Sequence, residues 1–519
     1  MSWNYHRARE RVTRSITEAP EIRVERFRED YWARIQNVRA MLGARTDVEP
    51  VIRDLSPGQA VLVDTVQVYV NVVNYNQMRL VQGQETAESH ARALSFLHLH
   101  YAALDRASDG AGAQRIDFHG PRMHTVMLQT AGSDAAARAA TVARALSLAR
   151  RTIAISEAAT RDVARSSITP LFRIGIDIGT CIAIDSGRSD EREPLFIGRA
   201  ANHAAQLAEG DRPGVYLSDR VRALLGLPQR GSLTLERMSE AGGLELAALG
   251  ASASVDPIDV RSRVDEVRET MRKHRDSTIG VDGFYFHHHQ PPLRTIDYSA
   301  LRPANSIRMP LVSIFADLDG YTRYVDEAMA AGNAADPVRD LHVIRSELNA
   351  VLQDDFEGRK VRFIGDCLHG LIAAGNSVST DAAESVERAT ACAGALRSSF
   401  DLVLEHLPSA RRLGLAVGLE LGPTPISRIG IRGERSVRVA SSVATLESER
   451  CQSLCTGSQT MIGERAYNAA SYDTRDLFAM GRIATNLTFD SVVMSSPPAA
   501  KAAGLIAEPV VDNRSHGEP

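Results

Sequence analysis

The chain has 519 residues, 24% of them charged, and a formal net charge of −4. That length exceeds one ordinary core and predicts two domains with connectors, and the near-balanced charge gives no basis for a nucleic-acid partner. The charged opening Met1–Arg7 and the lack of any long apolar run exclude a signal peptide and a membrane span, so a soluble, cytoplasmic protein is expected. Cys181, Cys367, Cys392, Cys451 and Cys455 are scattered and read as reduced thiols rather than a disulfide frame or a zinc site.

In chain order, residues 1–54 read as a charged helical segment, with Val24, Phe27, Tyr31, Ile35 and Val38 at helical spacing. Residues 55–260 and 304–495 each alternate strand-like and helix-like stretches. Between them, 261–303 reads as an inter-domain linker, with His287 to His289 beside Gln-Pro-Pro taken as solvated rather than metal-binding. The Pro-, Ala-, Asn- and Ser-rich residues 496–519 predict a mobile tail.

The two long halves repeat one another. Tyr69-Val-Asn71-Val-Val-Asn-Tyr75 matches Phe315-Ala-Asp317-Leu-Asp-Gly-Tyr321. Ile116-Asp117-Phe-His-Gly120-Pro121 matches Val361-Arg362-Phe-Ile-Gly365-Asp366, and Arg173–Gly179 matches Ala416–Gly422, in the same order at nearly constant spacing. This is a duplicated domain, not a short-period solenoid. In the second half Pro310–Phe315 reads as strand and Tyr321–Ala330 as helix. Lys360–Ile364 and Leu368–Ala373 flank a tight Gly365-Asp366 turn, Ala382–Leu407 reads as helix and Leu413–Leu421 as strand. The order strand, helix, hairpin, helix, strand predicts an α+β sandwich.

Two carboxylates carry the chemistry in this pattern. Asp317 ends a strand before the Gly320-Tyr321-Thr322 turn, and Asp366 sits on the hairpin tip. A turn into a helix aims backbone N–H groups at phosphate oxygens, and paired carboxylates on neighbouring strand ends suit a two-metal nucleotide site.

Together with Gly198-Arg-Ala-Ala-Asn202-His-Ala-Ala-Gln206-Leu207, these motifs resemble class III adenylate and guanylate cyclases over most of both halves. The resemblance implies two ferredoxin-like cyclase domains forming an intramolecular pseudo-heterodimer, alone or as a weak homodimer. One half supplies the metal aspartates Asp317 and Asp366 for two Mg²⁺ or Mn²⁺ ions, and the 318–322 turn (Leu318, Asp319, Gly320, Tyr321, Thr322) cradles the phosphates. The other half has Asn71 and Pro121 at the metal positions but supplies the transition-state asparagine, Asn202, whose second-half counterpart is read as Arg438. Gln206 stands where the family has a transition-state arginine, and Arg199 or Arg173 are candidates to compensate.

The positions that read the base in the family are Asp117 and Leu195 here. Asp117 accepts from an N–H, such as uracil N3–H, the cytosine amino group or the guanine edge, and offers no donor to adenine nitrogens. The string Gly187-Arg…Glu193-Pro194-Leu195-Phe-Ile-Gly198 into Ala-Ala-Asn202-His-Ala-Ala is similar to the pyrimidine cyclases of bacterial Pycsar anti-phage systems. That resemblance implies UTP as the first substrate and CTP as the second, with a cyclic nucleotide that activates a downstream effector.

Overall fold

The computed structural model describes residues 2–44, 52, 55–56, 58–129, 134–164, 169–185, 193–231, 255–275 and 283–495. The expected tail at 496–519, residues 187–192 of the Gly187–Gly198 string and residues 276–282 of the expected linker lie outside them. All five cysteines are free thiols, and among the described residues no helix is long and apolar enough to cross a membrane.

The first half holds strands β1 (Arg23–Arg26), β2 (Gln59–Val72), β3 (Gln114–His119), β4 (Arg122–Leu128), β5 (Phe172–Asp185), β6 (Pro194–Ile197) and β7 (Gly214–Leu217). Its helices include α1 (Tyr5–Thr17), α2 (Ala33–Met41), α3 (Asn76–Arg79), α4 (Ala87–Ser108), α5 (Ala135–Ala159), α6 (Arg199–Leu207), α7 (Asp219–Leu224) and α8 (Pro257–Arg275). The second half holds β8 (Phe286–His287), β9 (Ser306–Asp319), β10 (Arg359–Ile364), β11 (Cys367–Ile372), β12 (Ala374–Gly375), β13 (Thr380–Asp381), β14 (Gly414–Ile429), β15 (Val437–Ala440), β16 (Gln459–Ile462) and β17 (Ile483–Thr485). Its helices begin α9 (Tyr321–Ala330), α10 (Ala335–Ala350), α11 (Ala382–His406) and α12 (Val443–Ser453).

The two sheets share one topology. The first runs β3-β4-β2-β5-β6, with β1 beside β2 and β7 beside β5; the second runs β10-β11-β9-β14-β16-β17, with β8 beside β9 and β15 beside β14. Register confirms the duplication residue by residue: Asn71 faces Arg173 just as Asp317 faces Ala416. The central strands are rich in Val, Ile and Phe, side chains that fit a pleated, buried surface. Both hairpins turn on a glycine with positive φ, Gly120 at 52° and Gly365 at 60°, a conformation costly for residues with a Cβ. Close backbone approach is duplicated too. A Cβ on Gly175 would come within 2.1 Å of the Ala204 carbonyl, and one on Gly418 within 2.1 Å of the Ser448 carbonyl. These glycines seat α6 on β5 and α12 on β14.

The halves embrace reciprocally. Ile182, Ile184, Leu195 and Ile197 of the first half pack into the main core of the second. Ile429, Val437 and Val439 of the second half pack with Val66, Val68, Leu97 and Tyr101 of the first.

Two expectations are corrected here. Residues 1–54 are not one helix: Val24 lies in β1, which hydrogen-bonds in parallel to β2, and Phe27–Trp32 form a π-helical turn. The edge of β2 offered a better backbone partner than helix continuation. The segment 261–303 is not a free linker either. Val264 and Val267 of α8 are buried with Leu99 and Ile155 of the first half, while Leu293, Ile296, Tyr298 and Leu301 are buried against Met309, Leu311 and Val361 of the second. In the histidine run, His288 contacts Thr380 at 3.4 Å and His289 contacts Thr295 at 2.9 Å.

The N-terminal arm spans both halves. Arg11 forks onto Glu347 at 2.6 Å and Asp355 at 2.8 Å, both buried carboxylates of the second half, and Trp3 donates to Ser399 at 2.7 Å. Residues 23–26 then join the first sheet.

Candidate active site

A cavity of about 1100 Å³ opens between the halves, lined by the strand ends and hairpins of both sheets. Asp317 and Asp366 stand together on its wall, brought there by the end of β9 and the hairpin between β10 and β11. Burial pushes the Asp317 carboxyl up to about 6, with Asp319 adding to it. Burial also drives Asp366 upward, and the charge of Asp317 adds to the push. Gln452 of α12 donates to Asp317 at 3.4 Å, and the buried guanidinium of Arg345 donates to the Gly365 carbonyl, fixing the hairpin that carries Asp366. Among the described residues no group of three or more His, Cys, Asp or Glu gathers as a ready metal cage; Asp117, Glu193, Glu209, Asp297 and Glu449 also line the cavity, and Asp317 and Asp366 are the pair close enough for the charge of one to raise the other.

Across from them, Asn202 of α6 donates its side-chain amide to the hydroxyl of Thr322 on the first turn of α9. The predicted phosphate turn thus meets the predicted asparagine. Of that turn, Tyr321 and Thr322 line the cavity; Leu318 is buried in the core, and Asp319 turns away to accept from Gly457 N–H at 2.9 Å.

Gln206 does not line the cavity. Gln206 follows Asn202 by one turn of α6, on the same side of the helix, but Asn202, Ala205 and Glu209 are the residues of this segment that line the cavity. Arg173 and Arg199 are engaged outside the cavity lining. Arg173 donates to the Leu207 carbonyl at 2.9 Å and covers the Tyr216 ring, while Arg199 pairs with Asp326 at 2.9 Å. Arg438 is not the counterpart of Asn202: it lies on β15, which pairs with β14 as β6 pairs with β5.

Asp117 and Leu195 both line the cavity, as expected for base-reading positions, but Asp117 is already engaged by Arg362 of the second half. Two residues that sequence reasoning did not single out also stand there. Glu193 contacts Lys360 at 3.3 Å and Arg438 at 3.6 Å. Arg345 has no sequence signal beyond its place on a helix, since only the fold brings it under the hairpin.

The equivalent positions of the first half are filled differently. Asn71 donates to the Ala208 carbonyl at 3.1 Å, and beyond Pro121 the guanidinium of Arg122 meets Glu449 at 2.6 Å. Burial opposes ionisation of Glu449, yet Arg122 and His119 hold it well below the usual carboxylate range. An internal ion pair thus occupies this side. His124 and His369 are structural twins as expected, stacked on Tyr69 at 4.1 Å and Phe315 at 4.3 Å.

No family model matches the chain. It is 44% identical over 523 residues to a protein named uridylate cyclase from Rhizobium sp., covering 98% of each chain. It is 37% identical over 499 residues to a uridylate cyclase of Pseudomonas aeruginosa, covering 94% of this chain and 90% of that one. A crystal structure titled as a class III adenylyl cyclase-like ATP-binding protein from Pseudomonas aeruginosa superposes with a TM-score of 0.80 at 34% identity, over 95% of this chain and all of that one. With the two half-sites, the shared topology and these full-length relatives in view, the chain belongs to the class III nucleotidyl cyclases, in the family of the uridylate cyclases.

Proposed function

We propose that the chain converts UTP to 3′,5′-cyclic UMP and pyrophosphate, by in-line attack of the ribose 3′-hydroxyl on the α-phosphorus. One observation carries this reading: Asp317 and Asp366 face Asn202 across a shared cavity, whereas Asn71 and Pro121 hold the equivalent positions of the other half. One competent site and one internally filled site follow from that asymmetry. The pyrimidine rests on the uridylate cyclase relatives and on Asp117, an acceptor with no donor for adenine.

Both aspartates are pushed toward the neutral form by burial, a penalty that a bound divalent cation reverses. They therefore fit two Mg²⁺ or Mn²⁺ ions. When bound, such ions acidify the attacking hydroxyl and offset charge on the leaving pyrophosphate. The first turn of α9 presents unpaired backbone N–H groups at Tyr321 and Thr322 for the β- and γ-phosphates. Asn202 orients the ribose against that turn, and Arg345 and Gln452 hold the two carboxylate-bearing segments in place.

Cytidylate cyclase activity is the second reading, because a carboxylate also accepts from the cytosine amino group. Pure protein incubated with ATP, GTP, CTP or UTP plus Mn²⁺, followed by mass analysis, decides. Cyclic UMP is expected. A purine product would sink the pyrimidine assignment, and no product with any nucleotide would make the chain a non-catalytic nucleotide sensor. We read the product as a cytoplasmic second messenger of anti-phage defence that acts on a downstream effector. Phage challenge of cells expressing the chain with that effector, with Asp317→Ala as control, tests this role.

A further inference from the structure

Asp117 and Arg362 occupy the same position in the two halves: each follows a bulge in the first hairpin strand, and each faces the duplicated histidine, His124 or His369. In the folded chain they meet. Arg362 Nη1 donates to Asp117 Oδ1 and to the Phe118 carbonyl, and Nη2 donates to the Arg438 carbonyl at 2.8 Å. The Phe118 backbone N–H also donates to Asp117 Oδ1, at 2.7 Å.

One oxygen of Asp117 is therefore pinned from two directions, while Oδ2 takes no hydrogen bond among the described residues. The Asp117 side chain is 37% exposed, the Arg362 side chain 8%, and both line the cavity. Three of the five guanidinium N–H groups have protein acceptors; Nε–H and one Nη2–H have none among the described residues. The arrangement is a fixed acceptor beside a residual donor.

We infer that Arg362, contributed by the metal-binding half, is a positioning and specificity residue that aims Asp117 at the base and selects uracil over cytosine. The inference rests on the UTP reading above. Uracil presents a carbonyl next to an N–H, which complements a donor beside an acceptor. In the register that sets uracil O4 on Arg362 and N3–H on Asp117, cytosine turns its amino donor to the guanidinium and its N3 lone pair to the carboxylate; it fits only by sliding one position along the pair. Guanine shares the edge of uracil, so this pair sets pyrimidine identity and does not itself reject GTP.

The test is kcat/KM for UTP, CTP and GTP in wild type, Arg362→Ala, Arg362→Lys and Asp117→Asn, each checked for folding by thermal melting. Arg362→Ala should lower the UTP-to-CTP ratio by roughly tenfold to a hundredfold, mostly through KM. Arg362→Lys should recover part of that ratio. Asp117→Asn, whose amide can donate to cytosine N3, should shift preference toward CTP, and it decides the matter if Arg362→Ala does not fold. Cyclic UMP from wild type with an unchanged ratio in the folded variants overturns the role of Arg362 alone. A different wild-type product overturns the substrate reading itself.

Discussion

Asn202 of the first half donates its side-chain amide to the hydroxyl of Thr322 in the second, so the two halves touch at the point where substrate phosphates would lie. Removing a preorganised donor at a site of developing charge costs about 10²–10³ in kcat. Asn202→Ala should show a loss of that size in pyrophosphate release from UTP. Gln206→Ala, outside the cavity lining, should lose less than about tenfold. Equal losses would return Gln206 to the catalytic group.

Asp317→Ala and Asp366→Ala should each abolish turnover, because each removes one member of the adjacent carboxylate pair on the cavity wall. Asn71→Ala should keep most of it. Asn71 only donates to the Ala208 carbonyl, so its loss costs about 1 kcal/mol of stability, read by urea unfolding. Comparable inactivation of all three would refute a single working site.

Arg11→Ala should destabilise the chain by about 3 kcal/mol, since among the described residues buried Glu347 would keep only the Ser399 hydroxyl and buried Asp355 only Arg7. A melting temperature within about 1 °C of wild type would contradict the arm as a structural brace.

Burial pushes His100 and His124 down to about 3, from an ordinary value of 6.5. Each is neutral when folded but takes a proton when unfolded below pH 6.5. Their contribution is thus present above pH 6.5 and lost progressively as pH falls toward 3. Each adds up to about 1.4 kcal/mol of lost stability per pH unit within that window. His124→Gln, which can still meet Gln67, should flatten the slope by one proton's worth; urea unfolding at pH 7.5, 6 and 5 measures it.

The duplicated domain and the Gly365-Asp366 hairpin were legible because they depend on local chemistry: a repeated motif, a strand end, a two-residue turn. Three features were not. Val24 has helical spacing with Phe27 and Tyr31, but an open edge of β2 overrides periodicity. Gln206 follows Asn202 by one helical turn, yet the cavity lining takes Asn202, Ala205 and Glu209 and not Gln206. Arg362 reads as an ordinary strand arginine until the sheets close on each other and set it against Asp117.

The N-terminal arm has a mechanical corollary. Its helix is bolted to the second half, its strand is stitched into the first, and only residues 18–22 join them. A leash of that length spans at most roughly 18 Å when taut. On this side the halves can separate no farther than that leash reaches. Traffic through the cleft has to work within that reach, with the leash setting how far its walls gape.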